Sequence, residues 1–174
     1  LVGFTACDSF LDEEPKSSLT LDTYYKTSAD IIGNVNYLYR DGAPDKMGNM
    51  TGAYRGSSLS VMNMVTGYFV NEYEGQEVDC SYARQLTRQN FTQSCCNYLT
   101  NDTWKGCYKS INVANAVIKY VDGVEMDGQA QYKAEARFFR ALNYFYLVKM
   151  FGDVPMITEP TEDATLVEYP ARTA

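Results

Sequence analysis

The sequence predicts an all-α fold built from antiparallel helix hairpins, and three observations predict it. Apolar residues recur at three- and four-residue spacing over long stretches. Helix starts and stops are signalled by Thr20, by the Asp122-Gly123 and Gly152 closures and by Pro155. Bulky and small side chains alternate in helical register at Trp104, Tyr108, Ala134 and Phe138.

The first helix is expected over 21–40, from Leu21, Tyr24/Tyr25, Ile31/Ile32, Val35 and Leu38/Tyr39, with Thr20 as N-cap and Asp22 in the first turn. Asp41-Gly42-Ala43-Pro44 ends it. A second helix is expected over 54–70, on Leu59, Met62, Val65 and Phe69, interrupted by Gly56 and Gly67. Residues 71–90 mix charged, polar and tyrosyl residues without a period and read as an exposed loop.

The third helix runs 104–121 on the stripe Trp104, Cys107/Tyr108, Ile111, Ala114/Asn115, Ile118 and Val121, with Asn101 or Asp102 as cap. The fourth runs 129–151, and its core AEARFFRALNYFYLVKMF is apolar nearly all round after Arg140, which predicts burial on several sides. An extended tail follows over 153–174. The arrangement matches an irregular tetratricopeptide-like (TPR-like) helical repeat with long loops.

Composition narrows the chemistry. The 174 residues are 45% hydrophobic and 21% charged, with a net charge of −7 that opposes binding to phosphate backbones, so nucleic acid is not an expected partner. There is no histidine, which removes Ser-His-Asp and Cys-His nucleophiles and imidazole metal ligands together. No cofactor or metal is expected. Aromatic residues make up 14%, dominated by 15 Tyr, which suits sugar faces as well as helix packing.

The opening LVGFTAC-DSFLDEEP reads as the last residues of a signal peptide (1–6) followed by a lipidated Cys7, since Thr5-Ala6-Cys7 resembles a lipobox. Asp8, Asp12, Glu13 and Glu14 then form an acidic tether over 7–18, and the helical domain occupies 19–174. Cys80, Cys95, Cys96 and Cys107 lack CxxC spacing and read as buried thiols, with one disulfide possible in an exported chain.

Three stretches carry a resemblance: Cys7 with Phe10-Leu11-Asp12 and Pro15, then NFTQSCCNYLTNDTWKGCYKSINVANAVI, then AEARFFRALNYFYLVKMFGDVPMITEP. They resemble the N-terminal part of the SusD/RagB family, the Phe-Gly-Asp-Val-Pro exit being the most specific. Its matching positions are Trp104, Tyr108, Asn115, Glu135, Arg137, Phe138, Arg140, Gly152, Asp153 and Pro155.

Members are longer, so the resemblance implies that the family domain continues past this chain's end. It implies a TPR-like fold and a non-catalytic lipoprotein on the surface of a Bacteroidetes outer membrane, anchored through Cys7. Its role would be to capture glycans for import through a SusC-like TonB-dependent transporter.

Glu135, Arg137 and Arg140 open an otherwise apolar helix, so their charges must be paired or solvated, and ion pairs between helices are expected. Sugar recognition needs aromatic faces beside polar groups. Tyr68, Tyr73, Asp79, Tyr82, Arg84 and Gln85 supply both within 68–88, where family members can contact ligand. The tryptophans of starch-binding members are absent from this stretch, so the resemblance does not carry starch over. Trp104 sits at a core position and is expected to be structural.

Two other readings compete. A protein- or peptide-binding TPR-like adaptor without sugar affinity would use the same helices. A two-carboxylate glycosidase needs no histidine, but the clustering of Glu72, Glu74, Glu77 and Asp79 is expected in any acidic loop.

Overall fold

The computed structural model describes residues 20–40, 42, 65–70, 84–85, 87–90, 103–162 and 170–173. Its helices are α1 (Leu21–Tyr24), α2 (Ser28–Arg40), α3 (Lys105–Tyr120) and α4 (Gln129–Phe151), with a 3₁₀ turn at Val121–Gly123. The short strands β1 (Val154–Pro155) and β2 (Arg172–Thr173) pair antiparallel, Val154 opposite Thr173. The all-α class stands.

The stretch expected as one helix over 21–40 is two. Thr20 caps α1, its N–H donating to Thr23 Oγ1 at 3.0 Å. The break comes from a second cap that the sequence also carried. Thr27 and Asp30 form a reciprocal box, with Asp30 Oδ2 accepting from Thr27 N at 2.8 Å and Thr27 Oγ1 receiving the N–H of Asp30 at 3.4 Å. The Thr27 hydroxyl and then the backbone N–H groups of Thr27 and Lys26, all donating to Oδ2, hold the Asp30 carboxyl below its ordinary pKa. The break turns Tyr25 inward, where its buried ring stacks on Tyr120 at 5.3 Å.

Gly42 ends the first unit as expected, and its N–H donates to Tyr37 O. A Cβ there would meet Leu38 Cα at 2.7 Å, so the close approach needs glycine. The expected helix 54–70 lies outside the described residues up to position 64. Its last residues, 65–70, are a turn and not a helix, because Gly67 takes a left-handed φ of 79°.

The α3–α4 hairpin matches its expected limits closely, while the proposed caps Asn101 and Asp102 lie outside the described residues. The pairing is antiparallel. Gln129 at the start of α4 donates to Val121 O and Val124 O just past α3, and Arg140 meets Asn115 midway. Cys107 and Ile111 share a cluster with Leu147 near the far end. Gly152, at φ 71° and ψ −136°, closes α4 in a conformation that only glycine adopts readily.

One buried cluster joins α2, α3 and α4 through Ile31, Val35, Leu38, Ala114, Val117, Val121, Ala136 and Phe139. A second gathers Cys107, Ile111, Leu147 and Val154, with Trp104, Tyr108, Tyr144 and Phe151 packed around it. Each fully buried Leu or Ile stabilises by about 1.5–3 kcal/mol, so the hairpin is the energetic centre of the described chain.

One expectation for α4 changes, its burial on several sides. Phe138 is exposed and Phe139 is the core residue, since the helical stripe that faces α2 and α3 runs through Ala136, Phe139, Asn143 and Leu147. The helix is therefore buried on one side, although its sequence is apolar all round. The 153–174 tail is also not simply extended, because β2 returns to pair with β1.

Candidate functional site

Residues 154–162 leave α4 as a strap that lies along the α3–α4 hairpin. Beyond β1 the strap has no regular structure, which leaves its backbone carbonyls and amides needing partners, and polar side chains on otherwise apolar helix faces supply them. Asn115, 1% exposed, donates through Nδ2 to Ile157 O at 3.0 Å and Glu159 O at 3.1 Å. Its Oδ1 accepts from Arg140 Nη1 at 2.9 Å, and the same guanidinium reaches Thr158 O at 3.3 Å.

Tyr144 grips both polar groups of Ile157 with its hydroxyl, and the Tyr108 hydroxyl donates to Pro155 O at 2.7 Å. Asn112 Oδ1 accepts from Thr161 N at 2.7 Å, and Lys119 pairs with Glu162 at the rim.

Strap and α3 together enclose a groove of about 360 Å³, lined by Trp104, Lys105, Tyr108, Ile111, Asn112, Pro155, Ile157 and Thr161. That is the small end of the range for small-molecule sites. Trp104 contributes to the wall while locked in place, its ring 5.0 Å from both Tyr108 and Phe151. It is therefore partly buried structure and partly groove surface. The groove offers aromatic faces, with Lys105 and a few hydrogen-bonding groups in its lining, which suits a ligand with an apolar face and polar edges.

Among the described residues Glu135, Arg137 and Arg140 form no ion pair, and the pair at the opening of α4 is Lys133 with Asp122 just past α3. Arg140 bonds to a neutral amide and a carbonyl, because the strap presents acceptors there. Glu135 accepts from Gln131 within the helix, and Arg137 is exposed. Sequence reasoning missed Asn115 and Arg140 as a strap clamp. The signal was present, in amides and a guanidinium recurring on otherwise apolar stripes.

Of the expected ligand residues, Tyr73, Asp79 and Tyr82 lie outside the described residues, as do Cys7 and the acidic tether. Tyr68 is 89% exposed in the turn after Gly67. Arg84 and Gln85 are half-buried on a helical turn closed by Arg88 N to Arg84 O and Asn90 N to Gln85 O. The end of the expected loop is thus helical, in keeping with the helix propensity of Arg and Gln.

Among the described residues no group of three Cys, Asp or Glu gathers into a metal site. The free Cys107 thiol is pushed up to about 12 by burial, so it is not a nucleophile at neutral pH. Tyr108 is pushed up to about 12, chiefly by burial and then by Tyr144, with Arg172 opposing. No helix among the described residues is long and apolar enough to cross a membrane.

These two groups set an alkaline limit. Both have folded pKa values above their ordinary 9.0 and 10.0, so the unfolded chain loses protons first. Their stabilisation is complete below about pH 9 and is lost as pH rises towards 12. Helicity by circular dichroism should hold to about pH 9 and fall between about pH 10 and 12 together with tyrosinate absorbance. Helix loss centred near pH 8 would contradict it.

Comparison with known proteins gives three findings. A SusD-like family model, described as starch-binding and associating with the outer membrane, matches residues 9–173. SusD-like protein P25 of Formosa agariphila is 26% identical over 164 residues, which cover 89% of this chain and 29% of that protein. SusD-like protein P2 of the same organism is 26% identical over 175 residues, covering 99% and 32%, and a SusD-like protein of Bacteroides ovatus is 26% identical, covering 97% and 28%. The chain thus spans about a third of the length of these relatives or slightly less. No solved structure matches the chain.

Proposed function

The chain belongs to the SusD-like family, and from that premise we propose that it is part of a non-catalytic lipoprotein that captures glycans at the outer surface of the outer membrane and passes them to a SusC-like TonB-dependent transporter. The match over residues 9–173 is the observation that carries this reading. The family is described as starch-binding and associating with the outer membrane. Glycan class, transporter partner, surface exposure and the Cys7 anchor are the proposed steps beyond that description.

The residues support it chemically. A pyranose ring presents an apolar face to an aromatic side chain and hydroxyls to amides and guanidinium groups. The 68–88 region offers Tyr68, Tyr73 and Tyr82 beside Asp79, Arg84 and Gln85, and Tyr68 holds its ring in solvent. The groove at Trp104 and Tyr108 is a second aromatic surface of suitable size.

The test is calorimetry and affinity electrophoresis of the delipidated protein against a panel of plant, host and microbial polysaccharides. Binding of one glycan class without release of reducing ends is expected. Tyr68→Ala, Tyr73→Ala and Tyr82→Ala should each weaken it by about 2- to 10-fold, the worth of one aromatic contact. No binding to any glycan would overturn the reading, and reducing-end release would replace it with a hydrolase. Within these 174 residues Trp104 is the single tryptophan, so in this chain altered emission on binding points to the groove, and unchanged emission with Tyr68 sensitivity points to the 68–88 region.

A further inference from the structure

The polar groups of the groove beside α3 are mostly donors, and two of them bring positive charge. Lys105, Tyr108 and Asn112 stand at i, i+3 and i+7, so they follow one another along one face of α3, with Lys105 and Asn112 about 10 Å apart along the axis. Asn112 commits its Oδ1 to the N–H of Thr161, which leaves the amide nitrogen as the group it offers a ligand.

Arg172 adds the second cation from β2. It is the register partner of Pro155, which lines the groove, and directly opposed residues of an antiparallel pair share a face with their Cβ atoms about 5 Å apart. The guanidinium is close enough to the Tyr108 hydroxyl for its charge to counter the upward pull of burial on that group's pKa. Among the described residues lining the groove there is no Asp or Glu, in a chain with 22 acidic residues against 15 basic ones. The remaining walls, Trp104, Ile111, Pro155 and Ile157, are apolar.

This combination selects a ligand class. A neutral sugar hydroxyl both donates and accepts and gains little from a cation. A carboxylate or a sulfate ester only accepts, and it meets a guanidinium through two parallel charge-assisted hydrogen bonds. The net charge of −7 repels polyanions, so an attraction for them has to be local, within a screening length of the two cations.

We propose that the Trp104 groove is a subsite for an acidic sugar, its ring against the indole and its carboxylate or sulfate ester held by Lys105 and Arg172. The proposal rests on the glycan-capture reading and names the ligand class for this groove. Asn112 donates to the next sugar along α3.

The test is calorimetry of the delipidated protein with oligogalacturonide, alginate and carrageenan oligosaccharides, each also in its carboxyl-reduced or desulfated form. Tighter binding of at least one acidic ligand than of its neutral form is expected, with affinity falling as salt is raised. A uronate preference identifies the carboxylate as the recognised group, and a carrageenan preference the sulfate ester. Lys105 and Arg172 are exposed residues, so Lys105→Gln and Arg172→Gln should each weaken acidic-ligand binding by about 2- to 5-fold, the range of an exposed ion pair. Arg137→Gln, which removes an exposed cation of α4 outside the groove lining, should leave it unchanged.

Three results overturn the proposal and leave glycan capture in place: binding confined to neutral glycans, equal affinity for the acidic and neutral forms, or an acidic-ligand affinity that neither groove variant lowers more than Arg137→Gln does. Absence of binding to any polysaccharide of the wider panel removes the capture reading, and this proposal with it.

Discussion

Leu147→Ala is expected to lower stability by about 3 kcal/mol, enough to move the thermal midpoint of a chain this size down by about 6–12 °C. Leu147 is fully buried and joins three elements, since it meets Cys107 and Ile111 of α3 from within α4 and Val154 at the head of the strap. Removing its branched end loses the transfer energy of those atoms and leaves a cavity. The surroundings cannot close over it easily, because Trp104, Tyr108, Tyr144 and Phe151 are held by ring contacts to one another. Leu147→Met conserves volume and should cost less than about 1.5 kcal/mol. Phe145→Ala, two residues away on the exposed side, should cost about 0.5 kcal/mol or less in the 174-residue chain. Thermal unfolding by circular dichroism ranks the three, and a Leu147→Ala midpoint no lower than that of Phe145→Ala would contradict the role given to the second cluster.

Asn115→Leu is the second large effect. The side chains are similar in size, so packing is nearly conserved while three hydrogen bonds go. The carbonyl of Glu159 loses its donor, that of Ile157 keeps only the Tyr144 hydroxyl, and the Arg140 guanidinium loses its acceptor and keeps only Thr158 O. Each buried group left without a partner costs about 1–3 kcal/mol, so a loss of about 3 kcal/mol is expected, with the strap released first. The release has its own readout, because the bond after Glu162 is a cleavage point for a glutamate-specific protease, while that after Glu159 leads into Pro160 and resists it. Faster cutting there with the hairpin still helical is the expected pattern. Asn115→Asp keeps an acceptor for Arg140 but faces the two carbonyls with a carboxylate, so it should loosen the strap while preserving the link between the helices. Unchanged cutting in both variants would show that the strap is held without Asn115.

The strap also shows where sequence reading stopped. Helix spacing and caps placed the α3–α4 hairpin within a residue or two, because an amphipathic helix is a local pattern that neighbouring residues write by themselves. The same local rules held the break at Thr27 and Asp30, a four-residue cap inside a longer apolar period that masked it. Periodicity could not say that Asn115 and Arg140 face a strap some forty and twenty residues further on. That pairing is a fact of chain path, and the side chains alone read equally well as ion-paired or solvated.

Phe138 and Phe139 make the same point in two adjacent letters. Both are phenylalanine in a helix that is apolar all round, and nothing in composition or spacing separates them. Only the rotation of α4 against α2 and α3 puts Phe139 in the core and Phe138 in solvent. The candidate ligand residues of 68–88 were likewise chosen by type and position. Type establishes what a side chain is able to bind, and position in space decides whether several act on one ligand.

By itself, then, the sequence determined the all-α class, the limits of the long hairpin, the exclusion of histidine chemistry and the family. These rest on residue types and local spacing, which survive without knowledge of distant contacts. The tertiary structure alone decided which side of α4 is buried, how the strap is clamped, and where the aromatic groove lies. Each of those depends on which remote segment fills the space beside a helix, and a helix of period 3.6 presents every face until a neighbour covers one.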